Sequence, residues 1–231
     1  MLTQADCLSL WETGRSLHPL DQGVLALRAA FPEVRESIAD WPIGRRNRAL
    51  ARVRASLFGA PLRGWVQCNE CGEALDFELD GGGLVEGETP GVDAAVTVAG
   101  ASFRLPTSRD LAAIAAVQDS SEGARKLLGS CCVSGVQQRE WSDTEVEAIG
   151  ATMAAADPLA EVTLHFECPV CSATFDENLD LPAFLWAEME SAARRLLLQV
   201  HELATAYGWS ETEILSLSSA RRDAYLGMVR A

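Results

Sequence analysis

Two cysteine pairs carry the clearest chemistry in the sequence. Cys68 and Cys71 form one Cys-x-x-Cys motif, and Cys168 and Cys171 form another. An apolar run precedes each pair and an alternating run follows it, a pattern that predicts a small β-hairpin with two thiolates at its turn. Two such hairpins together supply the four thiolates that a structural zinc ion prefers. We therefore predict one Zn2+ ion bound by these four cysteines.

The spacing of the two pairs is unusual for a zinc ribbon. Residues 72–167 separate them, whereas a compact ribbon has roughly 15–20 residues between its pairs. Two alternatives are unrelated turns with free thiols and a pair of redox motifs. The redox alternative is weakened because neither motif opens a helix after a βαβ strand. Four thiolates leave no open coordination position, which favours a structural over a catalytic zinc.

The two predicted turns differ in one residue. The position after the second cysteine often needs a left-handed backbone, which Gly72 adopts without steric cost. Ser172 occupies the matching position of the second motif and is expected to carry some strain. Pro169 lies between the cysteines of the second motif and is expected to stiffen that turn.

Composition sets limits on the kind of protein. The chain has 231 residues, of which 48% are hydrophobic, enough for a sizeable core. It has no apolar run of membrane-spanning length, and its first residues lack the pattern of a signal peptide. We therefore expect a cytoplasmic protein in which cysteines do not form disulfides. Under that expectation Cys7, Cys131 and Cys132 are small buried apolar residues.

Charge is distributed unevenly along the chain. The formal net charge is −14, yet residues 1–62 hold eight arginines and only six acidic residues. The rest of the chain is strongly acidic, and both cysteine motifs are flanked by acids. Neutralisation of phosphate charge supplies most non-specific affinity for nucleic acid, so we expect no nucleic-acid partner.

The pattern of apolar residues predicts an α+β, mostly helical fold built around a split zinc ribbon with four cysteine ligands. Its predicted parts are a helical N-terminal region at 1–62, the first zinc knuckle with β segments at 63–106, a helical insert at 107–158, the second zinc knuckle at 159–180, and C-terminal helices at 181–231. A glycine-rich stretch at 80–93 is predicted to be a mobile connector.

The N-terminal region is predicted to contain helices at 5–17, from Pro19 to about Phe31, and at 43–58. The last of these has an apolar stripe and, on its other face, five arginines: Arg45, Arg46, Arg48, Arg52 and Arg54. Three interpretations of this face remain open. It is a solvated surface, a patch for an acidic partner, or a contact with the acidic remainder of this chain.

Helix-start signals place the remaining helices. Ser142 and Ser210 each precede a glutamate by three positions, as in N-terminal capping boxes. Thr107 is predicted to be an N-cap residue, with an acidic residue in the first turn that follows it. The longest predicted helix runs from Leu181 to Tyr207 and ends at Gly208. Its apolar residues recur every three or four positions, which indicates a core or a helix–helix contact.

The chemistry-bearing residues do not suggest an enzyme. The sequence offers no Ser/His/Asp or Cys/His constellation and no clustered carboxylate pair. His165 lies three residues before Cys168 and is an alternative metal ligand, but the four cysteines already suffice. Three functions are compatible with the cysteine motifs: a protein-binding factor, a zinc-ribbon nucleic-acid-binding or transcriptional regulator, and a thiol or redox enzyme. The acidic flanks argue against the second, and the absence of a catalytic constellation argues against the third.

Several strings of the chain together resemble one known family. They are the Cys-x-x-Cys hairpin followed by 181–186, the segment 203–215 with its Tyr207-Gly208-Trp209-Ser210 string and Glu213-Ile214-Leu215, the segment 221–229, and, in the N-terminal half, 18–21, the arginine-rich helix ending at Gly59, and Gly64-Trp65-Val66. The chain resembles the baseplate hub assembly chaperones of T-even-type contractile phages, whose relatives occur in phage-derived contractile injection systems.

The resemblance implies a non-enzymatic assembly factor that acts in the cytoplasm on baseplate hub or spike proteins. The zinc ion would hold the fold together. Trp209 lies between a helix end and a helix start, and with Tyr207 and Ile214 it is predicted to make an apolar corner. Such a corner is either core or a partner-binding surface. Arg45, Arg46 and Arg52 are the further candidates for contacts with an acidic partner.

Overall fold

The computed structural model describes residues 2–34, 36–98, 100–134 and 141–230. Within these ranges the chain is α+β and mostly helical, with small antiparallel sheets, as predicted. The helices are α1 (Gln4–Gly14), α2 (Pro19–Ala30), a 3-10 turn (Ile38–Asp40), α3 (Ile43–Phe58), α4 (Gly82–Val85), α5 (Ser108–Ile114), α6 (Ser120–Cys131), α7 (Asp143–Ala156), α8 (Leu181–Tyr207), α9 (Glu211–Ser216) and α10 (Ser219–Val229).

The strands form two separate hairpins and one three-stranded sheet. They are β1 (Pro61–Gln67), β2 (Ala74–Asp80), β3 (Ala95–Val98), β4 (Ala101–Arg104), β5 (Cys132–Ser134), β6 (Thr163–Glu167) and β7 (Thr174–Asn178). β1 pairs with β2, β6 pairs with β7, and the three-stranded sheet has the order β3-β4-β5. The two hairpins are the predicted knuckles, and β3 and β4 are the predicted extended segments. β5 was not predicted.

Local hydrogen bonds begin most helices where the sequence indicated. At the start of α7 and α9, the side chains of Ser142 and Ser210 form complete capping boxes. At the start of α5, the backbone N–H and the hydroxyl of Thr107 donate to Oδ2 of Asp110 at 2.9 and 2.7 Å. Asp180 caps α8 by accepting a hydrogen bond from the backbone N–H of Ala183 at 3.1 Å. Gly208 ends α8 in a left-handed conformation at φ 70°. These contacts satisfy backbone groups that the ends of a helix leave without intrahelical partners.

α8 is the central element of the main core. Leu185, Trp186 and Met189 are buried among residues of α1, α2 and α3. Further along α8, Leu196 packs near Leu8 of α1, and Leu203 packs against α9 and α10. The apolar stripe on α8 is therefore mainly core. Among the helices that the structure describes, none combines the length and apolar content required to cross a membrane.

α1 ends at Gly14, earlier than the predicted Leu17. A Cβ atom on Gly14 would lie 2.3 Å from Cη2 of Trp186, so the large indole of α8 packs directly against the backbone of Gly14. The glycine-rich stretch after β2 also differs from a simple connector. It contains α4, whose carbonyls at Leu84 and Val85 accept hydrogen bonds from Arg48 and Arg52 of α3.

Three of the five arginines on α3 are buried. The side chain of Arg54 donates to both carboxylate oxygens of Glu188 on α8, at 2.8 Å each. It also donates to the carbonyls of Gly59, Ala60 and Pro61, beyond the C-terminus of α3. Arg46 and Arg48 are buried as well. Arg54 therefore fits the third interpretation of this face, a contact with the acidic remainder of the chain.

The helical insert is attached to α3 through a buried carboxylate. Asp157 follows α7, and its Oδ2 accepts a hydrogen bond from the backbone N–H of Gly44 at 2.8 Å. It thereby satisfies a free N–H group in the first turn of α3, whose N-cap residue, Pro42, offers no side-chain cap. Asn47 adds a hydrogen bond from Nδ2 to the carbonyl of Leu159 at 2.7 Å.

We expect Gly44→Ala to destabilise the protein by about 3 kcal/mol, because its Cβ would lie 1.8 Å from Oδ1 of Asp157 and would displace the buried carboxylate. The matched control is Gly150→Ala in α7, where the new methyl group meets open space and the helix gains about 0.5–1 kcal/mol. Urea denaturation of both variants measures the difference. Equal stability of the two variants would contradict the close approach at Gly44.

Candidate metal centre

The two hairpin turns have the same backbone hydrogen bonds. In the first, the N–H of Cys68 donates to the carbonyl of Glu73 at 2.8 Å, and the N–H of Gly72 donates to the carbonyl of Cys68 at 2.9 Å. In the second, Cys168 and Ser172 make the corresponding bonds at 2.9 and 2.8 Å. Each turn thereby holds its two cysteine side chains on the same side of the hairpin tip.

In each hairpin turn, the residue after the second cysteine has the left-handed backbone that the sequence indicated. Gly72 has φ 76° and Ser172 has φ 58°; no other non-glycine residue in the described part of the chain has a positive φ. A left-handed backbone costs an L-residue roughly 1–2 kcal/mol, because Cβ approaches the following carbonyl. The second turn therefore stores strain that the first turn avoids.

Ser172→Gly is expected to raise the melting temperature slightly, since it relieves this strain, whereas Gly72→Val is expected to lower it by several degrees. A β-branched residue with φ above zero is a strong outlier in proteins. Thermal unfolding followed by circular dichroism measures both variants on metal-loaded protein. If Gly72→Val had the same melting temperature as the native protein, the turn would not need a left-handed residue.

The four sulfur atoms converge into one cluster. The Sγ atoms of Cys68 and Cys171 lie 3.6 Å apart, and those of Cys71 and Cys168 lie 3.6 Å apart. All four Sγ atoms lie within 4.8 Å of one another. A disulfide would need about 2.05 Å, while Zn–S bonds of about 2.3 Å place the sulfurs of a tetrahedral site about 3.8 Å apart. The arrangement can hold a metal ion.

Burial and the electrostatic surroundings differ among the four thiols. Cys68 and Cys168 are buried, and Cys71 and Cys171 face the solvent. Hydrogen bonds from the backbone N–H groups of Cys71 and Glu70 lower the pKa of the Cys68 thiol to about 7. The N–H of Ala173 acts in the same direction on Cys171, but burial and the neighbouring thiols outweigh it and raise the pKa of Cys171 to about 12. Mutual repulsion therefore opposes four thiolates, and a bound cation would relieve it.

Aromatic rings join the two hairpins beside the cysteines. Phe77 of β2 and Phe166 of β6 have ring centroids 5.5 Å apart, and Phe166 and Phe175 stack at 5.6 Å. Gly64 lies opposite Phe77 in the β1–β2 pairing, and a Cβ there would come within 2.7 Å of the ring. The hairpins therefore meet through an apolar contact as well as through the sulfur cluster.

The other residues named as candidates for partner binding lie in two separate places. Tyr207 and Trp209 stack at 4.7 Å at the end of α8, whereas the arginines lie on α3, which contacts α8 near Glu188. The 19 residues from Glu188 to Tyr207 correspond to about 28 Å of helix. The structure therefore does not bring the two groups together.

Burial further divides these candidates. Ile214 is buried between Leu203 and Leu226, so its side chain is core. Arg46 is also buried and donates hydrogen bonds to Asn47 and Ser108. Its burial lowers its pKa to about 10, against the attraction of nearby carboxylates. Neither residue can contact a partner while this fold is intact.

Two of the arginines remain accessible. The guanidinium of Arg45 lies over the ring of Trp41 at 4.9 Å, and Arg52 donates to the carbonyl of Val85 at 3.0 Å. The sequence reasoning did not identify Tyr225, whose ring meets Trp209 edge-on at 4.8 Å. Its position in α10 offered no signal, because the contact depends on how α10 packs against α8.

Comparisons with known proteins identified no relative: no family model, no curated protein and no solved structure matches the chain.

Proposed function

We propose that this chain is a non-enzymatic assembly factor for the baseplate hub of a contractile tail or contractile injection system, and that one structural zinc ion stabilises its fold. The observation that supports the proposal best is the sulfur cluster, in which motifs about 100 residues apart contribute two cysteines each. A set of four cysteine ligands has no position for water or substrate, which suits a structural rather than a catalytic metal. The partner is proposed from the resemblance of the sequence strings.

Zinc fits the cluster better than other common metals. Thiolates are soft ligands, which favour zinc, copper(I) or iron–sulfur clusters over magnesium and calcium. The sulfur spacing of 3.6 Å is close to that of a single tetrahedral zinc. In the proposed cytoplasmic setting the thiols stay reduced and available to the ion.

The proposed contact for the hub is an aromatic corner, which consists of Tyr207, Trp209 and Tyr225. The three rings lie within 5.6 Å of one another, and Tyr207 keeps 39% of its surface exposed. Met228, one helical turn after Tyr225, is largely exposed too. Aromatic side chains that pack against the protein on one side and are exposed on the other are frequent anchors of protein interfaces.

Affinity purification tests the proposed function directly. The tagged chain is expressed with the products of its neighbouring genes, and mass spectrometry is applied to the free pool and to sedimented particles. Hub or spike proteins in the free pool, with the chain absent from particles, are the expected result. Co-purification of nucleic acid without any tail protein would overturn the proposal and favour a zinc-ribbon regulator. The ten acids and single arginine of segments 63–80 and 161–180 argue against that alternative.

Trp209→Ala is expected to reduce recovery of hub proteins at least about tenfold while the chain remains folded and metal-loaded. The ring of Trp209 is partly buried in the corner and packs on a core that is made by Leu203, Ile214 and Leu226. The control is Val133→Ala, an exposed apolar residue of the insert. Loss of the folded state in Trp209→Ala would assign the corner to the core, and undiminished recovery would remove it from the interface.

A further inference from the structure

A groove of about 730 Å³ runs between β1 and the first half of α8. Its walls include Trp65 and Val66 of β1 and Glu177 at the end of β7, and its floor includes Phe184 of α8. Arg195, further along α8, lies at its other end. None of these residues contributes to the sulfur cluster or to the aromatic corner.

The groove follows the open edge of β1. Residues 63–66 all line it, so side chains of both faces of the strand border the groove. β1 pairs only with β2 in its two-stranded sheet. The N–H of Cys68 donates to the carbonyl of Glu73, so these two residues form a hydrogen-bonded pair of the antiparallel ladder. Because hydrogen-bonded and non-hydrogen-bonded pairs alternate along β1, Gly64 and Phe77 also form a hydrogen-bonded pair. The peptide groups of Arg63 and Trp65 therefore point away from β2, where another strand could pair with them.

Two charged side chains of the groove have no partner among the described residues. Glu177 is half-buried on the inward face of β7, beside Leu164 and Leu179, and no hydrogen bond or ion pair engages its carboxylate within the described ranges. The guanidinium of Arg195 is also unpaired in that part of the chain, whereas Arg63 is paired with Glu78. A carboxylate that no side chain pairs is free to attract a cationic group from a partner.

Trp65 adds an exposed apolar anchor beside the open edge. With 67% of its surface exposed, it is the most exposed aromatic residue in the described part of the chain. Its cross-strand neighbour is Asp76, an acid. An indole face next to a carboxylate favours a lysine or arginine side chain, through the attraction of a cation to the ring and to the nearby negative charge.

We propose that this groove binds an extended segment of a partner protein that pairs with the edge of β1 and carries a basic residue beside Trp65 and Glu177. Arg195 receives an acidic side chain or a carboxyl terminus at the opposite end. Asp180, which caps α8, and Arg195 are 15 residues apart, which is about 22 Å, the length of about seven residues of extended chain. The inference rests on the proposed role as a partner-binding protein and names a second contact surface, separate from the aromatic corner.

Selection from a library of random twelve-residue peptides against the full-length, zinc-loaded chain tests the inference without requiring the hub. We expect enriched peptides with alternating apolar residues and a lysine or arginine. Their dissociation constant should rise at least about tenfold with Trp65→Ala and with Glu177→Lys. Val133→Ala, at an exposed apolar residue of the insert, is the control and should leave the dissociation constant within about twofold. Glu177→Gln should have a smaller effect than Glu177→Lys, because it removes the charge without reversing it.

N-methylation of single peptide amides then tests the strand pairing. Methylation at every second position should abolish binding and at the intervening positions should leave it intact, since only alternate amides of an edge strand face the neighbouring strand. The inference is overturned if no selected peptide binds more tightly than its scrambled sequence, or if Trp65→Ala and Glu177→Lys leave the dissociation constant unchanged. It is also overturned if the effect of methylation does not alternate from one peptide position to the next. An incorrect hub assignment would appear in the affinity purification and would leave the peptide result unchanged.

Discussion

Cys168→Ser is expected to abolish binding of one zinc ion per chain and to lower the melting temperature by about 10 °C or more. Cys168 is fully buried at the cluster, and its Sγ lies 3.6 Å from that of Cys71. Structural zinc sites contribute roughly 10–16 kcal/mol in small zinc-finger peptides. A part of that, about 4 kcal/mol, corresponds to a shift of about 8–16 °C for a domain of this size. Metal content by plasma mass spectrometry and calorimetry provide the two measurements.

The control for this variant is Cys132→Ala, which removes a buried thiol outside the cluster and should keep one zinc ion per chain. Treatment of the native protein with a strong chelator should reproduce the melting behaviour of Cys168→Ser. The hairpins still share the contact of Phe77 with Phe166, so we expect partial separation of the hairpins rather than complete unfolding. A Cys168→Ser protein with full zinc content or an unchanged melting temperature would refute the proposed metal centre.

Arg54→Met is expected to destabilise the protein by about 3 kcal/mol or more. The change leaves the Glu188 carboxylate without its two hydrogen bonds and leaves the carbonyls of Gly59, Ala60 and Pro61 without a donor. The side chain of Arg54 is only 4% exposed and that of Glu188 is 24% exposed, so water replaces the lost contacts poorly. Removal of one partner from a buried ion pair typically costs about 3–5 kcal/mol.

The control is Arg63→Met, because Arg63 forms an ion pair with Glu78 in which both side chains are more than half exposed. Exposed ion pairs contribute little to stability, so this variant should have the same free energy of unfolding as the native protein. A double-mutant cycle with Glu188→Gln then separates the pair energy from the three carbonyl contacts. If urea denaturation gave equal stabilities for Arg54→Met and Arg63→Met, the buried pair would not be a major contact between α3 and α8.

The sequence by itself determined the local structure and identified the four thiols that could bind a metal ion. The helix starts at Thr107, Ser142 and Ser210, the end of α8 at Gly208, and the left-handed position of Ser172 all depend on hydrogen bonds or sterics within a few residues. For this reason they follow from residue type and spacing. The thiol chemistry of the two Cys-x-x-Cys motifs is local in the same sense.

Only the tertiary structure decided which distant residues meet. Periodicity placed Arg46 and Arg54 on the polar face of α3, but Glu188 lies 134 residues beyond Arg54, and no local pattern could identify it as the partner. The same holds for Asp157, which caps α3 from 113 residues away, and for the groove beside β1. Such contacts depend on how elements pack, and packing is determined by the burial of many side chains together rather than by the spacing of any one motif.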